Sequence, residues 1–131
     1  MRGIFLEILS EIYDQSAMDT EGNQGNSEIV EEYMNYIIEN YDHEIDLPKI
    51  VHEYGISPSH FRKLFKNETN KAPHEFLVDY RIKQAKNLLL THKYTVTEVA
   101  FMVGYDDYHY FSRLFTNKVG CSPKAFQNEN K

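Results

Sequence analysis

Two short stretches of this chain gather side chains suited to hydrogen bonding with base edges and phosphates. In the first, Ser59, Arg62, Lys63 and Lys66 recur at i, i+3, i+4 and i+7, while Phe61, Leu64 and Phe65 mark the opposite face. Fifty residues on, the same register holds His109, Ser112, Arg113 and Thr116, with Tyr108 beside them and Phe111, Leu114 and Phe115 behind. An α-helix fits the major groove of B-DNA, where arginine or lysine can donate to guanine O6 and N7. Each good bidentate contact of that kind contributes roughly 1–3 kcal/mol of discrimination. Arg62, Lys63 and Arg113 are therefore the strongest candidates for base reading, and Ser59, Tyr108, His109 and Ser112 are suited to weaker base or phosphate contacts. One such face alone reads most simply as a solvated helix surface. Its recurrence at a fixed interval favours DNA.

Other chemistries find little support. None of the six histidines pairs with another at a spacing that converges on zinc. His52 and His60 flank one turn and His74 stands further on. The lone cysteine, Cys121, excludes an intrachain disulfide and reads as packing rather than as a nucleophile. No glycine-rich phosphate loop is present, so neither enzyme, metal nor cofactor is expected. Tyrosine and phenylalanine supply 14% of the residues, which raises base stacking on a single strand. Phe61, Phe65, Phe111 and Phe115 point inward, however, and only Tyr108 is placed to meet a base or sugar, so an RNA or single-strand platform is disfavoured.

The elements that carry these residues follow from periodicity. Ser27 can cap a helix reaching about residue 41, with Ile29, Tyr33, Tyr36, Ile37 and Tyr41 inward. A short helix runs from Leu47 to about Tyr54 and is stopped by Gly55. Ser57 caps the next, with Pro58 at its first position, where the missing N–H costs nothing. After the polar run Asn67 to Lys71, Pro73 opens a longer helix to about Leu90, its apolar positions being Phe76, Leu77, Tyr80, Ile82, Ala85, Leu88 and Leu89. Thr95, Val96, Val99, Ala100 and Val103 then form a short helix ended by Gly104, and Asp106 or Asp107 caps the one containing Phe111. Phe61, Leu64, Phe65, Pro73 and Phe76 match Phe111, Leu114, Phe115, Pro123 and Phe126 at an offset of fifty, whereas Leu47, Ile50 and Gly55 match Val96, Val99 and Gly104 at forty-nine. The second turn is thus one residue longer, and the chain holds two helix-turn-helix units.

Charge divides the chain in the same way. Its net charge is −6, which alone argues against a phosphate-binding protein. Residues 1–46, however, hold twelve acidic residues against the single base Arg2, a net of −11, whereas residues 47–131 hold thirteen bases and eight acids, a net of +5. Such segregation points to a nucleic-acid-binding part beside an acidic accessory segment. In that segment Ile4, Phe5, Ile8, Leu9, Ile12 and Tyr13 make an acidic amphipathic helix, and residues 19–26 read as a polar linker. No apolar run is long enough to span a bilayer, and acids interrupt the start where a signal peptide needs an apolar stretch, so a cytoplasmic location is expected.

The fold expected is all-α: two helix-turn-helix subdomains joined by a long linker helix, about seven helices, plus the N-terminal amphipathic helix. Residues 1–26 form the accessory segment and 27–131 the DNA-binding domain. A linker helix from Pro73 to Leu90 would span roughly 27 Å, which suits two recognition helices entering grooves about one turn, or roughly 34 Å, apart. Lys66, Lys83, Lys118 and Lys124 are candidate phosphate contacts. The N-terminal helix supports a second reading, an interaction module that dimerises, folds back on the basic face or belongs to an upstream domain.

Ser57-Pro58-Ser59-His60-Phe61-Arg62-Lys63-Leu64-Phe65-Lys66, Val96-Thr97-Glu98-Val99-Ala100-Phe101-Met102-Val103-Gly104-Tyr105 and Tyr110-Phe111-Ser112-Arg113-Leu114-Phe115 resemble the AraC/XylS family of bacterial transcription regulators. The resemblance spans about residues 28–127 and includes Pro73, Pro123 and the linker start Tyr80-Arg81-Ile82-Lys83-Gln84-Ala85. It implies a seven-helix DNA-binding domain that recruits RNA polymerase at promoters, commonly preceded by a regulatory domain. The family's base-reading positions fall on Ser59, Arg62, Lys63, Tyr108, His109, Ser112 and Arg113. Two departures stand in the first motif: Lys71-Ala72-Pro73 replaces the usual small residue followed by serine or threonine, and the first recognition helix begins with proline and the small Ser59.

Overall fold

A computed structural model describes residues 24–131. Among them are seven helices and no strand: α1 (Gln24–Asn40), α2 (Leu47–Glu53), α3 (Pro58–Thr69), α4 (Pro73–Leu90), α5 (Val96–Met102), α6 (Tyr108–Val119) and α7 (Pro123–Glu129). The amphipathic stretch at residues 4–13 and most of the expected linker lie outside the described residues. The chain divides into two compact units, one containing residues 24–36 with Asp46–Pro73 and the other Ile37–Ile45 with His74–Lys131.

The first unit is built on aromatic packing. Val30, Tyr33 and Met34 of α1 are buried with Ile50 and Val51 of α2 and Phe61, Leu64 and Phe65 of α3. The Tyr33 ring meets Phe61 and Phe65 edge-on, at centroid distances of 5.1 and 5.4 Å, a geometry that adds about 0.5–1.5 kcal/mol per pair beyond the area buried. Two details differ from the sequence expectation. Residues 24–27 are already helical, so Ser27 lies inside α1 rather than on its cap. The inward stripe is Val30, Tyr33, Met34 and Ile37, whereas Tyr36 is 39% exposed and Ile29 only half-buried. Tyrosine can sit at an apolar spacing yet keep its ring at the surface.

In the second unit, Val78, Ile82, Ala85 and Leu89 of α4 pack with Val96, Val99 and Ala100 of α5, Val103 and Tyr105 of the turn, and Phe111 and Phe115 of α6. Phe126 of α7 meets Phe115 edge-on at 5.6 Å. Most apolar positions expected in α4 are buried. Val78 joins them, Tyr80 and Leu88 are half-buried, and Arg81 is buried at 7% exposure.

Arg81 is held from two sides. Its Nε donates to the Tyr41 carbonyl at 2.6 Å and its Nη2 to the His43 carbonyl at 2.8 Å. Its guanidinium carbon lies 4.9 Å from the centroid of the Tyr105 ring. Burying a charge is tolerated when it is hydrogen-bonded, and a planar guanidinium can serve two carbonyls and an aromatic face at once. The turn after α5 depends on the same group. Gly104 has φ +104°, and a Cβ there would stand 2.9 Å from the Arg81 guanidinium carbon, so both backbone conformation and space require glycine.

Candidate nucleic-acid interface

Two helices carry the sequence-predicted site residues, and the same local devices fix both. Ser57 caps α3 by accepting the His60 N–H at 3.1 Å, with Pro58 at the first helical position. Burial of Phe61, Leu64 and Phe65 turns Ser59, Arg62, Lys63 and Lys66 outward as one exposed row. Asn70 ends the helix in the left-handed conformation, φ 63°, its N–H donating to the Lys66 carbonyl. On α6 the cap is Asp107, one of the two aspartates the sequence offered. Its Oδ1 accepts the N–H groups of His109 at 2.9 Å and Tyr110 at 3.3 Å, and Gly120 closes the helix at φ 98°. The caps Ser57 and Asp107 are fifty residues apart, whereas Gly55 and Gly104 differ by forty-nine. The extra residue of the second motif therefore lies between its glycine and its cap.

With Phe111 and Phe115 fully buried, His109 and Arg113 are exposed, while Ser112 and Tyr108 are half-buried. Tyr108 packs edge-on against His109, ring centroids 5.6 Å apart, and its inner side meets the core of the second unit. The structure thus brings Ser59, Arg62, Lys63 and Lys66 together on α3, and Tyr108, His109, Ser112 and Arg113 together on α6. Thr116 is less available, because its hydroxyl donates back to the Ser112 carbonyl at 2.7 Å.

Among the lysines singled out for phosphates, Lys66, Lys83 and Lys124 are exposed. Lys118 is engaged elsewhere. Its Nζ lies 2.9 Å from Asp79 and 3.7 Å from Glu75 of α4, and the hydrogen bond to Asp79 holds the ammonium above the ordinary lysine range. These pairs lie at the surface, where water and salt weaken them, so Lys118 is the candidate that must exchange carboxylates for a phosphate.

Sequence reasoning missed two residues. Tyr110, on the first turn of α6, is 41% exposed, so Tyr108 is not the only aromatic of that turn to reach the surface. Its position three residues before Arg113 was the available signal, since residues so spaced share a helix face. Arg81 is the other, and its signal was its place next to Ile82, four residues before Ala85 and four after Leu77, on the inward side of the linker helix. Among the described residues no three His, Cys, Asp or Glu side chains gather as a metal site requires, and no helix there is long and apolar enough to cross a membrane.

Comparison with known proteins agrees with this geometry. The helix-turn-helix domain family matches residues 50–129. A helix-turn-helix transcriptional regulator from the cgkA 5′ region of Pseudoalteromonas carrageenovora is 36% identical over 102 residues, which is 78% of this chain and 60% of that protein. The chain therefore spans somewhat more than half the length of that relative. Among solved structures, the C-terminal domain of AraT, a response regulator from Geobacillus stearothermophilus, superposes with a TM-score of 0.73 at 28% identity, covering 77% of this chain and 84% of that one. The DNA-binding domain of AdpA, solved in complex with a target DNA, gives a TM-score of 0.71 at 27% identity, covering 76% and 90% of the two chains. The family match over residues 50–129, the paired and capped helices, and the AraC-type structural neighbours together establish that the chain belongs to the AraC/XylS family of helix-turn-helix transcription regulators.

Proposed function

We propose that this chain binds double-stranded DNA with α3 and α6 as recognition helices in successive major-groove segments, and regulates transcription from that site. The observation that carries the reading is the recurrence of one construction. Each helix has a side-chain cap, a buried pair of phenylalanines and an outward row of hydrogen-bonding residues. Helix-turn-helix proteins point the first turns of the second helix at base edges. That assigns base contacts to Arg62, Lys63 and Arg113, weaker ones to Ser59, Tyr108, His109 and Ser112, and phosphate contacts to Lys66, Lys83 and Lys124. The chain contributes recognition and no covalent chemistry.

The partner beyond DNA is RNA polymerase, which a regulator bound at a promoter is placed to recruit, and DNA as target puts the protein in the cytoplasm. Because the chain spans 60% of the P. carrageenovora relative, an upstream regulatory domain, or a second copy engaged through residues 4–13, would supply the signal. The competing reading, an interaction module without DNA binding, rests on that N-terminal stretch alone and draws nothing from the family match over residues 50–129.

Salt titration of duplex binding tests the proposal. With six to ten phosphates engaged, affinity falls by about 10³–10⁵ between 50 and 200 mM salt. A flat response would remove phosphate contacts from the mechanism.

A further inference from the structure

Tyr110 is an exposed aromatic with a rigid mounting. Its ring meets that of Tyr105 edge-on, centroids 5.8 Å apart and planes at 65°. Tyr105 is itself only 8% exposed and lies against the guanidinium of Arg81, which two backbone carbonyls hold in place. One side of Tyr110 is thus tied to the buried framework of the unit, and the rest of the ring faces solvent. A side chain ordered before binding loses less entropy when it binds.

Tyr110 precedes Arg113 by three residues and Asn117 by seven, so the three form one stripe along α6. It also lies on the first turn, the part of a recognition helix that approaches base edges most closely. The major-groove edges of the bases present donors, acceptors and a single kind of apolar group, the 5-methyl of thymine. An exposed, fixed aromatic surface at this point matches that group. The equivalent position in α3 is His60, so the feature belongs to the second motif alone.

We propose that Tyr110 is a specificity-determining residue that packs on the 5-methyl group of a thymine next to the base pair contacted by Arg113. The inference rests on the reading of α6 as a recognition helix. It adds an apolar contact to a set of hydrogen-bonding residues.

The test uses the full chain and a duplex site recovered by selection from random DNA. Thymines are replaced one at a time by deoxyuridine, which keeps the base pair and removes only the methyl. A fixed thymine is expected in the half bound by α6, and its replacement weakens binding by on the order of 3- to 10-fold. Tyr110→Ala abolishes that difference, binding the thymine and uracil duplexes alike, while Tyr110→Phe discriminates as the parent chain does. Because the uracil scan needs no variant, it stands even if a substitution impairs folding. The proposal is overturned if no thymine is sensitive, if the same penalty persists in Tyr110→Ala, or if Tyr110→Phe weakens all sequences equally, which would mark a phosphate contact through the hydroxyl. Sequence preference that depends on Arg113 without any uracil effect defeats this inference alone. Binding without sequence preference defeats the recognition reading beneath it.

Discussion

Arg113 and Lys124 are both exposed cations of the second unit, and the proposed function gives them different work. Arg113 rises from the recognition row of α6, where a guanidinium can donate to both acceptors of one guanine. Lys124 stands just inside α7, off that row. Arg113→Ala is expected to cost about 1–3 kcal/mol on the preferred site and to relax preference at one base pair. Lys124→Ala should weaken all sequences about equally and reduce the salt slope by about one. Binding curves on the preferred and on scrambled duplexes separate the two outcomes. Most residues of the candidate site were legible because the phenylalanines fix which face of each helix is inward, and what remains must point out. Arg81 and Tyr110 were not, because neither obeys that binary rule. Arg81 is a charge made buriable by two carbonyls some forty residues away in sequence, and Tyr110 is an aromatic kept outward by an edge contact with Tyr105. Pairings of that kind are set by tertiary geometry.

At the scale of elements, glycines provide a clean contrast. Gly104 and Gly120 have similar positive φ values, 104° and 98°, but only a Cβ at Gly104 meets another group, the guanidinium of Arg81. Arginine side-chain ends usually yield to such contact, but this one cannot move without losing its bonds to Tyr41 and His43. Alanine at either glycine costs about 1–3 kcal/mol in backbone strain. Gly104→Ala should cost at least about 1 kcal/mol more, from disturbing those hydrogen bonds. Equal losses in chemical denaturation would mean that Arg81 relaxes freely. The caps make a second prediction. Asp107 serves two N–H groups at the start of α6, and Asp107→Ala should lower the unfolding free energy by about 1 kcal/mol. The cap of α5 is reciprocal. Thr95 accepts from Glu98 N–H at 3.1 Å while the Glu98 carboxylate accepts from Thr95 N–H at 2.9 Å, and that backbone hydrogen bond holds the carboxyl below the ordinary glutamate range. Its folded-state pKa being depressed, its contribution is present above the unfolded value and lost as pH falls through the folded one. Acid unfolding profiles of the parent chain and Glu98→Gln should therefore converge at low pH. Helix boundaries were legible where a cap or proline stands in the sequence. The helical state of residues 24–26 was not, because polar residues without apolar periodicity read as linker.

For the molecule as a whole, the repeat and the segregated charge carry the functional argument together. A net charge of −6 conceals thirteen bases against eight acids in residues 47–131, which is why overall charge misled and its distribution did not. The duplication was legible from phenylalanines and glycines alone, and with it the two-unit organisation. The engagement of Lys118 was not, since its partners Asp79 and Glu75 lie about forty residues earlier on α4. In the proposed function one chain reads DNA with two helices of unequal chemistry, α3 the more cationic and α6 the more selective. Selection of fragments from random duplex DNA by the full chain tests it most directly. Two enriched motifs with centres about ten base pairs apart are expected, the one lost in Arg113→Ala being the more sharply defined. Recovery of a single motif, or of no sequence preference at all, would contradict it.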